Sequence, residues 1–286
     1  MICFPNAKIN LGLRVLRKRA DGFHDIETVF FPIPLCDILE LVVLEPGFVG
    51  DRYLELRNAR RLYYAYSGNA VVDNPETELS VRAIMAFDRE FGVTHDLFLH
   101  LHKNIPSGAG LGGGSSDAAN ALKIINSIEG EKTNESILMK LAASLGSDCP
   151  FFISNKPSFA SGRGEILQSI SISLSGYHLV LVKPSFGVST AEAYSGVVPK
   201  CDPDAPSLID IVKLPIDSWP NILVNEFENG VFEVHPQLAQ IKSELYEMGA
   251  SYASMSGSGS TMFGLFKTEP ELEGTFNDLF VFKTAL

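Results

Sequence analysis

The sequence predicts a two-domain protein built of both strands and helices, and three observations carry that prediction. The chain has 286 residues, more than a single core usually holds. Strand-like runs and helical periods alternate along it without an internal repeat. Near the middle, a strand leads into a glycine-rich segment that opens a helix. A boundary is expected near Asn155, giving a first domain over 1–155 and a second over 156–286.

Ile9 to Leu16 and Phe23 to Ile33 read as two strands around Ala20-Asp21-Gly22, and Asp37 to Val43 as a third. Between Glu45 and Asn74 the pattern is poor, with a tyrosine cluster at Tyr63, Tyr64 and Tyr66, and no element is assigned. Leu79, Ala83, Ile84 and Phe87 recur at helical spacing before Gly92, which predicts a helix from about Glu78 to Phe91. Leu97, Leu99 and Leu101 alternate as a strand, which turns His100 and His102 to solvent or to an interface. A helix is expected over Ser116 to Ser127 and another over Glu135 to Leu145. The latter delivers Asp148 just ahead of the apolar run Phe151-Phe152-Ile153, read as a strand. Further on come a strand at His178 to Val182, a helix capped by Ser189, and one long helical region near Asn225 to Met248. Ser256 to Thr261 reads as a small-residue turn between two strands.

Composition narrows the function classes. Hydrophobic residues make up 45% and charged residues 20%, the balance of a globular protein rather than a disordered or fibrous one. A net charge of −11 argues against a nucleic-acid partner, because phosphate contacts need a basic surface. Cys3, Cys36, Cys149 and Cys201 are too far apart for a Cys-x-x-Cys metal or redox motif and read as reduced thiols. The N-terminus lacks a secretory pattern and no apolar run has membrane-spanning length. A cytoplasmic protein with no membrane partner is expected, and nothing in the sequence signals an oligomeric state.

The chemistry concentrates at Pro106, Ser107, Gly108, Ala109, Gly110, Leu111, Gly112, Gly113, Gly114, Ser115 and Ser116. Five glycines among these eleven residues let the backbone turn tightly and approach a ligand. A helix opening there directs unpaired N–H groups and its positive dipole end at the loop, an arrangement that favours phosphate. Ser115 and Ser116 add donors, or oxygen ligands for magnesium. Gly108-x-Gly110-x-x-Gly113 also satisfies a dinucleotide fingerprint, but the second strand bearing a ribose-binding acid does not follow. The Gly-Lys-Ser/Thr ending of a P-loop is absent, so any phosphate lysine must come from elsewhere. Lys103, just before the loop, is a candidate, against the competing reading of an exposed loop lysine.

Pro-x-x-x-Gly-Leu followed by Gly-Gly-Gly-Ser-Ser resembles the phosphate-binding motif of the GHMP kinases. Pro5-Asn-Ala-Lys-Ile-Asn-Leu11, Ala20-Asp-Gly-Phe-His24, Gly146-Ser-Asp-Cys-Pro-Phe151 and Ser256-Gly-Ser-Gly-Ser-Thr261 extend the resemblance, in family order, over almost the whole chain. The resemblance implies an α+β two-domain GHMP kinase fold: an N-terminal domain like domain 2 of ribosomal protein S5, a ferredoxin-like C-terminal domain, and a substrate cleft between them. It also implies ATP with Mg2+ and, from the particular motifs, a cytidine diphosphate-linked small-molecule alcohol as acceptor.

Phosphoryl transfer needs in-line positioning, charge neutralisation and a group that takes the hydroxyl proton. Asp148, the only carboxylate of its motif, suits the last role, although alone it reads as a residue bracing the turn before Pro150. Lys8 lies between Asn6 and Asn10 at the start of a strand, a poor place for a merely solvated lysine. By resemblance, Lys8 and Asp148 match the family's catalytic pair. Phe23, His24 and Phe30 form an aromatic set of the kind that holds a pyrimidine, with core packing as the competing reading. Phe23 stands where the family generally has tyrosine, which keeps stacking and removes a hydroxyl. Asn10 and His24 carry over as polar contacts to substrate, and Gly257 and Ser258 as backbone donors near the site. The segment Asp73 to Leu79 is looser than the family's version. The alternatives are a kinase for another alcohol, such as homoserine or mevalonate, and a catalytically silent nucleotide-binding regulator of the same fold.

Overall fold

The computed structural model describes residues 1–69, 74–202 and 204–286; Asp73 of the Asp73–Leu79 segment therefore lies outside the described residues. The chain divides into two compact units. Met1–Ala7, Leu35–Ser107 and Gly112–Asn155 form one, and Lys8–Pro34, Gly108–Leu111 and Lys156–Leu286 form the other.

The first unit is built on a five-stranded sheet in the order Ile2–Cys3, Ile38–Val43, Leu97–Lys103, Arg61–Gly68 and Tyr53–Glu55. Its pairs are antiparallel except Arg61–Gly68 with Leu97–Lys103, which are parallel and joined through the helix Leu79–Phe91. A parallel pair requires such a crossover. The strand Arg61–Gly68 falls in the stretch where the sequence assigned no element, because its burial does not alternate: Leu62 and Tyr63 are both buried, and Tyr64, Ala65 and Tyr66 are all half-buried. Leu97, Leu99 and Leu101 are fully buried, as their alternation requires. His100 and His102 are half-buried rather than solvent-facing. The hydroxyl of Ser67, on the neighbouring parallel strand, lies 2.9 Å from one ring and 2.8 Å from the other.

Helices Leu79–Phe91 and Gly113–Ile128 pack against each other, and Glu135–Leu145 packs on both. Two expectations are corrected here. The glycine-loop helix begins at Gly113, three residues before Ser116, so Gly113 and Gly114 lie in its first turn despite their low helix propensity. Phe151-Phe152-Ile153 is not a strand but part of the short helix Cys149–Ser154. All three side chains are buried, and a short apolar run has no period that separates a buried strand from a buried helix.

The second unit carries two four-stranded antiparallel arrangements. One has the order Tyr252–Met255, Met262–Phe266, His178–Lys183, Phe280–Ala285. The other has the order Asn6–Lys18, His24–Cys36, Ser158–Ser161, Ile166–Ser169. The first two strands of that sheet enter from the first unit or return to it at their ends. One hydrophobic core of the second unit joins Leu13, Val15, Val180, Phe227, Leu245 and Met262. The helical region expected as one piece is two helices, Phe227–Val234 and Pro236–Glu247. His235 between them leaves helical geometry at φ −124°, ψ 70°, and Pro236 starts the second helix at a position where its missing N–H costs nothing. Ser189 caps Thr190–Ser195 by accepting from Glu192 N at 3.1 Å.

Candidate active site

In the first unit the strand before the glycine loop and the helix after it are tied by one ammonium. Lys103, the last residue of Leu97–Lys103, is neither exposed nor on a loop: it is 7% exposed, and its Nζ is paired with Asp37 and lies 2.5 Å from Asp117 Oδ2. Asp37 Oδ1 also accepts from the backbone N–H groups of Asn104, at 2.6 Å, and Ile105, at 2.8 Å. Burial pulls the Lys103 ammonium down, but the charges of Asp117 and Asp37 outweigh it and the net direction is up. Burial pushes the Asp117 carboxyl well above the usual carboxylate range, against the attraction of Lys103 and with the charge of Asp37 adding to the rise. Asp117 Oδ1, on the far side of the carboxyl, is buried and makes no hydrogen bond.

The helix Gly113–Ile128 opens at Gly112 with no side-chain cap, so the first-turn N–H groups are left to a ligand or water. Pro106 is half-buried and Ser107 exposed. Ser116 is buried, its carbonyl accepting from Asn120 Nδ2 at 2.9 Å, while Ser115 is half-buried with its hydroxyl toward the Cys149 thiol. Burial raises that thiol to about 11. Asp148 precedes the helix Cys149–Ser154, and its side chain makes no capping bond to it.

In the second unit three of the motifs meet. Gly110 O accepts from Lys8 Nζ at 2.8 Å and from Ser256 Oγ at 2.9 Å, while Leu111 O accepts from Lys8 N at 2.9 Å and Ala109 O from Thr261 N at 3.3 Å. Gly110, at φ +73°, has no room for a side chain: a Cβ there would stand 1.9 Å from Ser256 O. A Cβ on Gly257 would stand 3.2 Å from Gly110 O, so the late turn lies directly against the middle of the glycine loop. Ser258, next along, is half-buried. Lys8 is 3% exposed, which removes the surface-lysine reading. Its Nζ also donates to Asn10 Oδ1 at 2.5 Å and lies 5.2 Å from the centre of the Phe30 ring.

The aromatic set divides. Phe30 is 2% exposed and belongs to the core under Lys8, whereas Phe23 is 52% exposed with the Arg163 guanidinium 4.9 Å from its ring centre. His24 stacks on Tyr194 at 4.3 Å. Core packing therefore accounts for Phe30 and not for Phe23.

Several residues that position these motifs escaped the sequence reading. Asn225 Nδ2 donates to the carbonyls of Met255 and Gly257, both at 2.8 Å, and its Oδ1 accepts from Phe227 N at 3.0 Å. Glu228 accepts from Ser254 Oγ at 3.0 Å and Met255 N at 2.8 Å. Asp37 and Asp117 are two more. Their only signal in the sequence is a polar residue beside apolar positions, which does not say what it touches.

An uncapped helix opening from a glycine-rich turn is a phosphate-handling arrangement and points to the class: a phosphotransferase fed by a nucleotide. The chain matches the GHMP kinases N terminal domain over residues 78–156 and the GHMP kinases C terminal domain over 213–279. It is 46% identical to a 4-diphosphocytidyl-2-C-methyl-D-erythritol kinase of Bacteroides fragilis, covering 100% of both chains. Among solved structures, a 4-(cytidine 5'-diphospho)-2C-methyl-D-erythritol kinase superposes with a TM-score of 0.74 at 30% identity, covering 93% of this chain and 90% of that one. The mevalonate kinase of Methanococcus jannaschii superposes at 0.72 with 12% identity over 100% and 98%, a likeness of fold alone. The chain belongs to the 4-diphosphocytidyl-2-C-methyl-D-erythritol kinases of the GHMP family. It is an ATP-using kinase of a small molecule, with the α+β fold of that family, and the homoserine-type, mevalonate-type and silent-regulator readings are not favoured. Among the described residues no helix is long and apolar enough to cross a membrane.

Proposed function

We propose that the chain transfers the γ-phosphate of ATP to the 2-hydroxyl of 4-diphosphocytidyl-2-C-methyl-D-erythritol, a step of non-mevalonate isoprenoid synthesis in the cytoplasm. Residues 1–155 serve as the ATP-binding domain and 156–286 as the C-terminal domain. The loop from Pro106 to Ser116 cradles the phosphates through its backbone N–H groups and the helix start. Lys103 serves the same site from beneath, by holding the strand and the helix that flank the loop. Asn10, Phe23 and His24, with the turn at Gly257 and Ser258, receive the cytidine-bearing acceptor, and Phe30 supports them from the core under Lys8.

In the transfer, the substrate hydroxyl oxygen forms a bond to the γ-phosphorus as the bond to the ADP oxygen breaks, and the hydroxyl proton passes to Asp148. Lys8 stabilises the negative charge that develops on the attacking oxygen. Mg2+ would neutralise phosphate charge when bound with ATP. The hydroxyl oxygens of Ser115 and Ser116, at the helix start, would stand beside a metal carried by the nucleotide phosphates.

The observation that carries this reading is the burial of the Lys8 ammonium on the carbonyl of Gly110, since it fixes a positive charge on the phosphate loop itself. The test is ADP release from magnesium-ATP with the cytidylylated methylerythritol, homoserine or mevalonate as acceptor, repeated with Asp148→Asn. Turnover with the first acceptor alone, reduced about 10²- to 10⁴-fold in the variant, is expected for loss of a general base. Equal turnover with homoserine, or an unimpaired variant, would remove the assignment.

A further inference from the structure

We infer that Thr28 is a positioning residue for phosphoryl transfer, acting on Lys8 through the side-chain amide of Asn10. The inference rests on the catalytic role given to Lys8 above. Lys8 and Asn10 are two apart on the strand Asn6–Lys18 and therefore share a face, while Thr28 lies on the next strand, His24–Cys36. Asn10 is 2% exposed and Thr28 is fully buried, so water does not substitute for their hydrogen bonds.

A threonine hydroxyl has one proton to give. Here it goes to Gly12 O, 2.5 Å away. The oxygen is then left to accept, and it does so from Asn10 Nδ2 at 2.9 Å. With Nδ2 held on Thr28, the other end of the amide is Oδ1, and it faces the Lys8 ammonium at 2.5 Å. A rotated amide would set two donors against that ammonium. One hydroxyl thus decides which atom of Asn10 meets Lys8, and thereby keeps the ammonium between two acceptors, Asn10 Oδ1 and Gly110 O. Gly12 supplies the anchor: it sits in the strand at φ +72°, and a Cβ there would come 2.7 Å from Leu223 Cδ1, so its carbonyl direction rests on a conformation that other residues rarely adopt.

Thr28→Val keeps the shape and removes the hydroxyl. The expected result is a fall in kcat of about 10- to 100-fold, the scale of a slightly misplaced catalytic group, with the KM for ATP little changed. Thr28→Ser, which keeps the hydroxyl, should restore turnover. In an Asn10→Ala background, Thr28→Val should cost nothing further, because the link it acts through is gone. A purely structural role predicts instead that the two losses multiply, and that outcome, or full activity in Thr28→Val, would overturn the inference. If Thr28→Val does not fold, Thr28→Cys offers a weaker donor of similar size and should show a smaller loss; undiminished turnover there would also overturn it. Lys8→Met, assayed alongside, keeps the two questions apart. An active Lys8→Met enzyme removes the catalytic reading itself, whereas an inactive one beside a fully active Thr28→Val removes only the relay.

Discussion

Lys103 Nζ lies 2.5 Å from Asp117 Oδ2, which joins the last residue of the strand before the glycine loop to the second turn of the helix after it. Asp37 completes the link by holding the same ammonium and the N–H groups of Asn104 and Ile105. Lys103→Met leaves two buried carboxyls without their cation. A loss of about 3–5 kcal/mol is expected for such a broken buried pair, read by urea unfolding, together with weaker ATP binding. A variant as stable as the parent would show that the link does not hold the loop.

The same cluster predicts a pH signature. Because the Asp117 pKa is raised in the folded state, mainly by burial, the stability it contributes is present below its unfolded value of about 3.9 and is lost as pH rises toward the folded one. Asp117→Asn removes that titration. Unfolding measured at pH 5 and pH 8 should show the parent losing stability relative to the variant at the higher pH. A stability difference between parent and variant that is the same at pH 5 and pH 8 would mean that Asp117 is ionised in the fold.

Gly110→Ala should be among the most damaging single substitutions in the loop. The added Cβ would press on the carbonyl of Ser256 and impose a rare backbone conformation. Overpacking of this kind costs about 1–3 kcal/mol or more. The expected readouts are a lowered Tm and loss of fluorescent ATP-analogue binding. Near-normal nucleotide affinity would show that the loop and the late turn move apart without consequence.

Asn225→Asp should disturb the late turn from a distance. The carboxylate would face the carbonyls of Met255 and Gly257, which now accept from the amide. Each buried acceptor left unsatisfied costs about 1–3 kcal/mol. Reduced kcat/KM is expected, with a larger defect at pH 8 than at pH 6, where a protonated carboxyl regains one donor. A pH-independent defect would argue against this explanation.

The thiols should react unequally. Burial raises Cys3 and Cys149 to about 11 and also raises Cys36, whereas Cys201 is exposed. The thiolate is the reactive form. Brief alkylation at pH 8 followed by mass spectrometry should therefore mark Cys201 first. Early labelling of Cys149 would show that the Asp148 helix opens readily.

Much of the fold was legible because it rests on local periods. The alternation of Leu97, Leu99 and Leu101 marks a strand, and the spacing of Leu79, Ala83, Ile84 and Phe87 marks a helix, since burial selects those positions, fully for all but the half-buried Leu79. The misreadings fall where the period is too short or interrupted. Phe151-Phe152-Ile153 is too brief to show one, His235-Pro236 breaks a helical run that otherwise looks continuous, and the strand Arg61–Gly68 buries consecutive rather than alternate residues.

The sequence by itself determined the five motifs and hence the chemistry available: a glycine loop for phosphates, a lysine and an aspartate for the transfer, aromatic side chains for a base. Tertiary structure alone decided how those groups are held. Ser256 reaches Gly110 across 146 residues, Asp37 reaches Lys103 across 66, and Thr28 sets the amide of Asn10 across 18. Periodicity reports which face of an element is apolar. A buried hydroxyl, amide or carboxyl has its partner chosen by the neighbours that folding brings within about 3 Å, and sequence spacing does not encode that choice.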